Sequence, residues 1–147
     1  MRFYGFGNYY LSSLQQGLQS AHVIGELFTQ YEQNTEQFGI VHDWAKNHKT
    51  MVLLNGGNSA ALQELFDFFQ KFQTQGMTLP FAKFHEDEQS LGGALTYVGI
   101  VVPEKYYNAA AQIRTNGSNG VAMLKEYDFH EWELELVLTL NNYRLAS

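Results

Sequence analysis

The sequence predicts an α/β domain with a four-stranded mixed sheet and helices on both faces. Apolar residues recur in turn at strand spacing and at helix spacing, which gives the element order βα(α)βαββα. The run Met51–Leu54 is apolar without a break, a pattern typical of a strand covered on both faces, so we place it at the centre of the sheet. The chain has 147 residues, 45% of them hydrophobic and 16% charged, which is enough for one core.

The N-terminal part is predicted to contain a strand followed by two helices. Aromatic residues between positions 2 and 7 favour a strand there. From Ser12 onward the apolar residues recur at helical spacing, and either Ser12 or Ser13 is a suitable N-cap for a long helix. A shorter helix is expected around Trp44, and it ends near His48.

The middle of the chain repeats the succession of strand, turn and helix. The strand at Met51–Leu54 stops at a glycine pair, and Asn58 or Ser59 then caps a helix that ends at Gly76. An acidic loop is expected after the next strand. The remaining elements of this part are two strands and a helix, at residues 81–84, at residues 95–102 and from Pro103 onward.

The C-terminal segment, residues 129–145, fits the patterns of both a strand and a helix. Its leucines alternate with glutamates, which favours a strand, but Asp128 and Glu131 have the spacing of a capping box and the apolar residues also form a helical stripe. We favour the helix. A segment this apolar requires a partner, so we predict that residues 132–145 help the chain to form a homo-oligomer. The alternative is a tail folded back onto its own sheet.

Charge and composition exclude several classes of protein. The formal net charge is −6 and the nine basic residues are scattered, so a long groove that follows phosphates is not expected. The chain has no cysteine, and its five histidines form no local i, i+4 pair, so we expect no metal and no cofactor. Neither a membrane span nor a signal peptide is recognisable, which predicts a cytoplasmic protein.

The first helix carries the most informative polar pattern. Gln15, Gln19 and His22 lie at positions i, i+4 and i+7, so they share one face of that helix. Amide side chains on such a face can bind a ligand through hydrogen bonds. The alternative is a solvated face with a histidine that has only a structural role.

In this region the chain resembles the type II peptidyl-tRNA hydrolase family. In that family a first strand and a D-L-x-M loop lead into a helix with the pattern K-x-A-A-Q-x-x-H-A. Gln19 and His22 match the Gln and the His, Asn8 stands at the loop Asp, and Leu11 stands at the Met. The resemblance covers residues 2–113, which we take as the domain, and leaves residues 114–147 as a C-terminal extension.

The resemblance implies hydrolysis of the ester that joins a peptide to the terminal ribose of tRNA. His22 and Gln19 would then shape the pocket, and Glu86 or Asp87 would orient the attacking water in place of the family's loop Asp. Thr96 would line the same end of the sheet. The catalytic residues implied are therefore Glu86, Asp87 and His22.

One departure from the family pattern leaves turnover open. The family's Lys aligns with Gln15, a neutral amide, so either Lys49 or Lys83 supplies the missing charge or the domain does not turn over. In the second case it is a catalytically inactive module that holds a nucleotide-like ligand or an RNA end. The binding residues would then be amides and stacking aromatics, namely Asn8, Gln15, Gln19 and either Tyr9 or Tyr10.

Overall fold

The computed structural model describes residues 1–86, 93–117, 124 and 127–146 of the chain. Its strands are β1 (Arg2–Asn8), β2 (Met51–Gly57), β3 (Phe81–His85) and β4 (Leu95–Val102). Its α-helices are α1 (Ser13–Gln30), α2 (Glu36–Asp43), α3 (Ser59–Thr74), α4 (Glu104–Asn116) and α5 (Glu131–Leu140), and a π-helical turn at Trp44–His48 extends α2. None of these helices is long and apolar enough to cross a membrane.

The strands form one mixed sheet in the order β2-β1-β4-β3. β1 runs parallel to β2 and antiparallel to β4, and β3 runs antiparallel to β4. The predicted α/β class and the predicted four-stranded mixed sheet are therefore confirmed.

The prediction that the Met51–Leu54 strand is central is wrong, because β2 lies at the edge of the sheet. Both faces of this strand are nevertheless covered. Leu54 is buried in the core on one face, and Leu53 packs against the core on the other. The unbroken apolar run thus reflects helices above and below the strand, and it carries no information about lateral neighbours.

The outer edge of β2 is partly paired by the C-terminal segment. The Asn55 N–H donates to the carbonyl of Arg144 at 2.9 Å, and the Ala146 N–H donates to the carbonyl of Leu53 at 2.9 Å. Leu145 forms an isolated antiparallel bridge with Leu54. These bonds satisfy part of an edge that would otherwise be open to another chain.

The side chains of the sheet divide into two cores, one on each face. Helices α1 and α2 cover the first core, whose buried residues include Phe3, Val23, Leu27, Trp44 and Tyr97. Helices α3, α4 and α5 cover the second core, whose buried residues include Phe6, Leu62, Phe69, Tyr106 and Leu136. Helices therefore lie on both faces of the sheet, as predicted.

The C-terminal segment is helical over Glu131–Leu140, which confirms the preferred interpretation of its pattern. Trp132, Leu136 and Leu140 are buried in the second core together with residues of α3 and α4. The segment is thus folded back onto its own sheet, which was the alternative to an oligomeric contact. Self-association of the chain stays a prediction.

The helix starts agree with the sequence signals at α1 and α3 and are shifted at α4 and α5. Ser12, one of the two candidates, caps α1, and Asn58 caps α3 by accepting the Ala61 N–H at 2.8 Å. Pro103 was expected as the first residue of a helix. It is instead the N-cap of α4, because its ψ of 157° is extended. The expected capping box of Asp128 and Glu131 is wrong, because α5 begins at Glu131 and the His130 N–H donates to Oε1 of Glu133 at 3.0 Å.

Candidate functional site

The sheet topology brings three chain segments together at one end of the sheet. β1 ends opposite the start of β4, where Gly7 pairs with Tyr97, and β3 ends beside the same start, where His85 pairs with Leu95. The first half of α1 follows directly from the end of β1. Asn8, Gln19, Glu86 and Thr96, four of the polar residues predicted to belong to the site, lie in or next to these segments.

Gln19, Glu86 and Thr96 form a connected set of hydrogen bonds, which we call the polar network. The Gln19 amide donates from Nε2 to Oε2 of Glu86 at 2.8 Å, and the Thr96 hydroxyl donates to Oε1 of Gln19 at 3.3 Å. Thr96 is fully buried and Gln19 is nearly so. The network therefore joins α1, the residue after β3 and the start of β4. The single proton of the Thr96 hydroxyl is shared between Gln19 Oε1 and the carbonyl of Phe84, which also lies at 3.3 Å.

Asn8 anchors the end of β1 to the start of α3. Its Nδ2 donates to the Ser59 hydroxyl at 3.0 Å and to the Leu95 carbonyl at 3.2 Å. Asn8 is 1% exposed, and its Oδ1 has no partner within the part of the chain that the structure describes. Asn8 therefore acts at this site as a donor with one buried acceptor still unpaired.

Gln16 also belongs to this site, although sequence analysis selected its neighbour. Gln16 is buried, and its Nε2 donates to the Asn8 carbonyl at 3.2 Å. A side chain at Gly7 would overlap the Gln16 amide, so the glycine leaves room for it. The spacing of the buried residues of α1 could have identified Gln16. It lies on the same inward-facing side of the helix as Val23 and Leu27.

Gln15 faces a different direction from the polar network. Its Oε1 accepts the Ser12 N–H at 2.9 Å, and its own N–H donates to the Ser12 hydroxyl at 3.2 Å. These reciprocal bonds are a capping box at the start of α1, and Gln15 is exposed. The structure thus gives Gln15 a role at the helix terminus and does not bring it together with Gln19.

His22 lies on the exposed side of α1. Its ring stacks on the ring of Phe84 in β3, with 4.3 Å between centroids and 4° between planes. This contact holds the imidazole flat against the Phe84 ring, three residues beyond Gln19. Gln19 and His22 thus lie about one helical turn apart on α1, as their spacing in the sequence predicted.

Tyr9 and Tyr10 form an exposed aromatic pair in the loop between β1 and α1, where the Tyr9 N–H donates to the carbonyl of Gly57 at 2.8 Å. Tyr9 is 65% exposed and Tyr10 is 45% exposed, and their rings meet edge to face at 6.1 Å. Exposed rings of this kind can stack on the base of a nucleotide. The other acidic candidate, Asp87, lies outside the described residues.

The two lysines considered as replacement charges lie elsewhere. Lys83 extends over the ring of Phe66 in α3, with Nζ 4.6 Å from its centroid, so it faces the side of the sheet opposite α1. Lys49 precedes β2 at the other end of the sheet. No lysine or arginine in the described ranges hydrogen-bonds to the network, and those ranges hold no cluster of three or more metal-ligating side chains.

Tyr97 is a further polar side chain near the network. Burial raises the pKa of the Tyr97 phenol far above its ordinary value. Its hydroxyl is buried without a partner among the residues that the structure describes. A phenol in this state stays protonated and neutral at physiological pH, so it cannot act as a base.

Comparison with known proteins adds no further assignment. The sequence matches no protein-family model and no curated protein. The resemblance to type II peptidyl-tRNA hydrolases therefore rests on the quoted motif and on the order of the elements.

Proposed function

We propose that the chain is a cytoplasmic peptidyl-tRNA hydrolase-like domain that binds a nucleotide-like ligand or an RNA end without hydrolysing it. The observation that carries this proposal is the bond from Gln19 to Glu86 at 2.8 Å, in a network that no described cation contacts. An amide, a hydroxyl and a carboxylate can recognise the polar edges of a base or a ribose.

The residues around the network support binding. Asn8 and Gln16 each present a buried amide oxygen that has no partner among the described residues. Tyr9 and Tyr10 stand beside the same end of the sheet with exposed rings. Stacking on one such ring contributes about 1–3 kcal/mol for each base, which is less than the roughly 4 kcal/mol of a millimolar complex, so polar contacts must supply the rest of the affinity.

The charges of the network argue against turnover. Ester hydrolysis develops negative charge on the former carbonyl oxygen, and loss of one group that stabilises it costs about 10²–10³ in rate. At this site the Gln19 amide N–H that could approach such an oxygen is bonded to the Glu86 carboxylate. A carboxylate beside the developing charge disfavours it further.

Active hydrolysis is the second candidate, and one observation favours it. The Gln19 amide holds the Glu86 side chain in a fixed position on the half-buried side of the network. A carboxylate held in this way can accept a proton from water and orient it for attack. This candidate requires a cation from another source.

One pair of assays separates the two candidates. The full chain is incubated with labelled peptidyl-tRNA, and in parallel its thermal unfolding is followed with adenosine, which has no phosphate, and with a short RNA that ends like tRNA and has a 5′-hydroxyl group. Gln19→Ala tests the network, and Gln70→Ala, an exposed glutamine on α3, serves as the matched control.

We expect no cleavage above the solvent rate and a rise of the unfolding temperature with adenosine or the RNA. The rise should be lost in Gln19→Ala and kept in Gln70→Ala. Cleavage by the wild type would establish the hydrolase instead. If the wild type shows no cleavage and no stabilisation, both candidates are refuted.

A further inference from the structure

A cleft of about 340 Å³ lies on the opposite face of the sheet, between β1, β2 and the C-terminal segment. We call it the arginine cleft. Its lining includes two cations, two aromatic rings, an aliphatic side chain and an amide, which are Arg2, Arg114, Tyr4, Tyr143, Leu54 and Asn141. It shares no lining residue with the polar network, so a ligand here is independent of the proposed function.

Neutral partners position both arginines. The Arg2 guanidinium lies over the ring of Tyr107, 4.0 Å from its centroid. Arg114 donates from Nη1 to Oδ1 of Asn141, whose Nδ2 in turn donates to the carbonyl of Ala110 at 2.9 Å. Within the part of the chain that the structure describes, the two guanidinium groups are thus held in place without a carboxylate.

The charge of the cleft is opposite to that of the whole chain. The chain has a formal net charge of −6, yet the described residues that line the cleft include two arginines and no acidic side chain. Among the described residues, the ion pairs are His48 with Asp43 and Lys105 with Glu133, so neither arginine is neutralised there. An anion is therefore the ligand that this surface favours, and a guanidinium fork suits phosphate or carboxylate oxygens.

The remaining walls suit an apolar body. Tyr4 is buried, and Tyr143 is held by an edge-to-face contact with Phe6 at 4.8 Å. Leu54 and Leu140 complete an aliphatic wall. A volume of about 340 Å³ lies within the range of small-molecule pockets.

We propose that the arginine cleft binds a phosphate monoester with an aromatic body. The phosphate group carries about −1.5 to −2 charges at neutral pH, which matches the two guanidinium groups better than a carboxylate does. The ring lies against Tyr4 and Tyr143, and the phosphate lies between Arg2 and Arg114.

The test is calorimetric titration of the full chain with 1-naphthyl phosphate. Three probes separate the contributions: 1-naphthol is the body alone, inorganic phosphate is the head alone, and 1-naphthoate carries one negative charge in place of the phosphate. Naphthyl phosphate should bind most tightly, and its affinity should fall as salt is added.

Variants assign the binding to the cleft. Arg114→Gln and Arg2→Gln should each weaken binding of naphthyl phosphate about tenfold, the usual loss for one charge-assisted hydrogen bond. Lys46→Gln, an exposed residue of the π-helical turn, removes the same charge elsewhere and should leave the affinity unchanged. Arg114→Lys keeps the charge but loses the fork, and should give an intermediate affinity.

Several results would overturn the proposal. One is the absence of binding of naphthyl phosphate to the wild type. Another is equal affinity for 1-naphthol or for 1-naphthoate, and a third is an Arg114→Gln variant that binds like the wild type. If Arg2→Gln fails to fold, as judged by its thermal unfolding, Arg114→Gln and Arg114→Lys decide the question.

Discussion

Gly5 and Gly99 face one another directly across β1 and β4, and aromatic rings occupy the space that their side chains would fill. A Cβ atom on Gly99 would lie 2.6 Å from the ring of Phe3 and 2.7 Å from Val23. Val23 lies one helical turn after Gln19 in α1. The glycine pair thus allows α1 to approach the sheet closely enough for Gln19 to meet Thr96.

Gly99→Ala should destabilise the fold by about 1–3 kcal/mol, since an added methyl group overpacks the core between the sheet and α1. Gly25→Ala is the matched control, because a Cβ there meets nothing within 4 Å and the residue lies within α1. It should stabilise the protein by about 0.5–1 kcal/mol through helix propensity. Urea denaturation measures both, and a Gly99→Ala variant as stable as the wild type would refute this account of the packing.

Asn8→Asp introduces the residue that the peptidyl-tRNA hydrolase family has in this loop, and it should destabilise the domain. The Asn8 amide donates to Ser59 and to the Leu95 carbonyl, whereas an ionised carboxylate has no proton to donate. The expected loss at pH 7 is about 1–3 kcal/mol.

The Asn8→Asp penalty should shrink at acidic pH, where the protonated carboxyl regains a donor. The control is Asn55→Asp, because the exposed Asn55 uses its oxygen to accept the Gly57 N–H at 3.0 Å and an aspartate can do the same. Chemical denaturation at pH 7 and at pH 5 compares the two variants. Equal stability of the two at pH 7 would contradict the donor role of Asn8.

The sequence alone predicts the local elements of this molecule but not the order of the strands in the sheet. The spacing of apolar residues predicted the strands and helices because the buried side of an element depends only on nearby residues in the chain. Leu54 in β2 is an example. The spacing misplaced β2 within the sheet because lateral order depends on pairing between distant segments. It selected Gln15 over Gln16 because adjacent residues on a helix differ by about 100° in direction, and that phase is set by the packing of α1.

For the candidate site, the residues that lie in regular helices and strands were easier to predict than those that follow a strand. Gln19 and Thr96 come from regular elements with a firm register, and the structure brings them within hydrogen-bond distance. Glu86 follows a strand, so its contact with Gln19 depended on how far β3 extends. The arginine cleft was not predicted, since Arg2 and Arg114 are separated by most of the chain and only the folded sheet brings them together.

Because of Glu133, the free energy of unfolding should decrease as the pH falls into the acidic range. Burial acts to raise the pKa of the Glu133 carboxyl, but bonds from the Tyr106 hydroxyl at 2.7 Å and the His130 N–H at 3.0 Å, with Lys105 nearby, outweigh burial and lower it. A lowered pKa in the folded state means that the ionised carboxylate stabilises the fold above 4.5, its ordinary pKa. That contribution is lost as the pH falls through the lower, folded pKa.

Glu133→Gln should cost about 1–2 kcal/mol at pH 7 and should lose part of the acid dependence of the wild type. Glu131→Gln, an exposed residue of the same helix, is the control and should follow the wild-type profile. Thermal unfolding between about pH 3 and about pH 7, a range that begins below the ordinary pKa of a glutamate, measures both. Parallel profiles for Glu133→Gln and the wild type would refute the assignment.

The predicted self-association should depend on the exposed leucines of the C-terminal segment, because its other apolar residues are buried or partly buried in its own core. Leu138 is 41% exposed and Leu145 is 72% exposed. Sedimentation should show an oligomer for the full chain and a monomer for the double variant Leu138→Glu, Leu145→Glu. Leu18→Glu, at an exposed leucine of α1, is the control and should leave the oligomer intact. A monomeric wild type would refute the prediction.

Gln15→Lys introduces the lysine that type II peptidyl-tRNA hydrolases have at this position. We expect this variant to show no hydrolysis and to be less stable than the wild type. The Gln15 oxygen accepts the Ser12 N–H in the capping box, and a lysine has no acceptor to replace it. The cation would also lie in the first turn of α1, where the helix dipole disfavours positive charge. The expected loss of stability is about 0.5–2 kcal/mol.

Gln15→Glu is the matched variant, since a glutamate keeps the acceptor and places negative charge at the favourable end of the helix. It should be at least as stable as the wild type. Denaturation and the peptidyl-tRNA assay are run on both variants. Hydrolysis gained by Gln15→Lys would show that this position reaches the reacting ester after all, and that the capping box opens when substrate binds. Unchanged stability in Gln15→Lys would show that the capping box contributes little to α1.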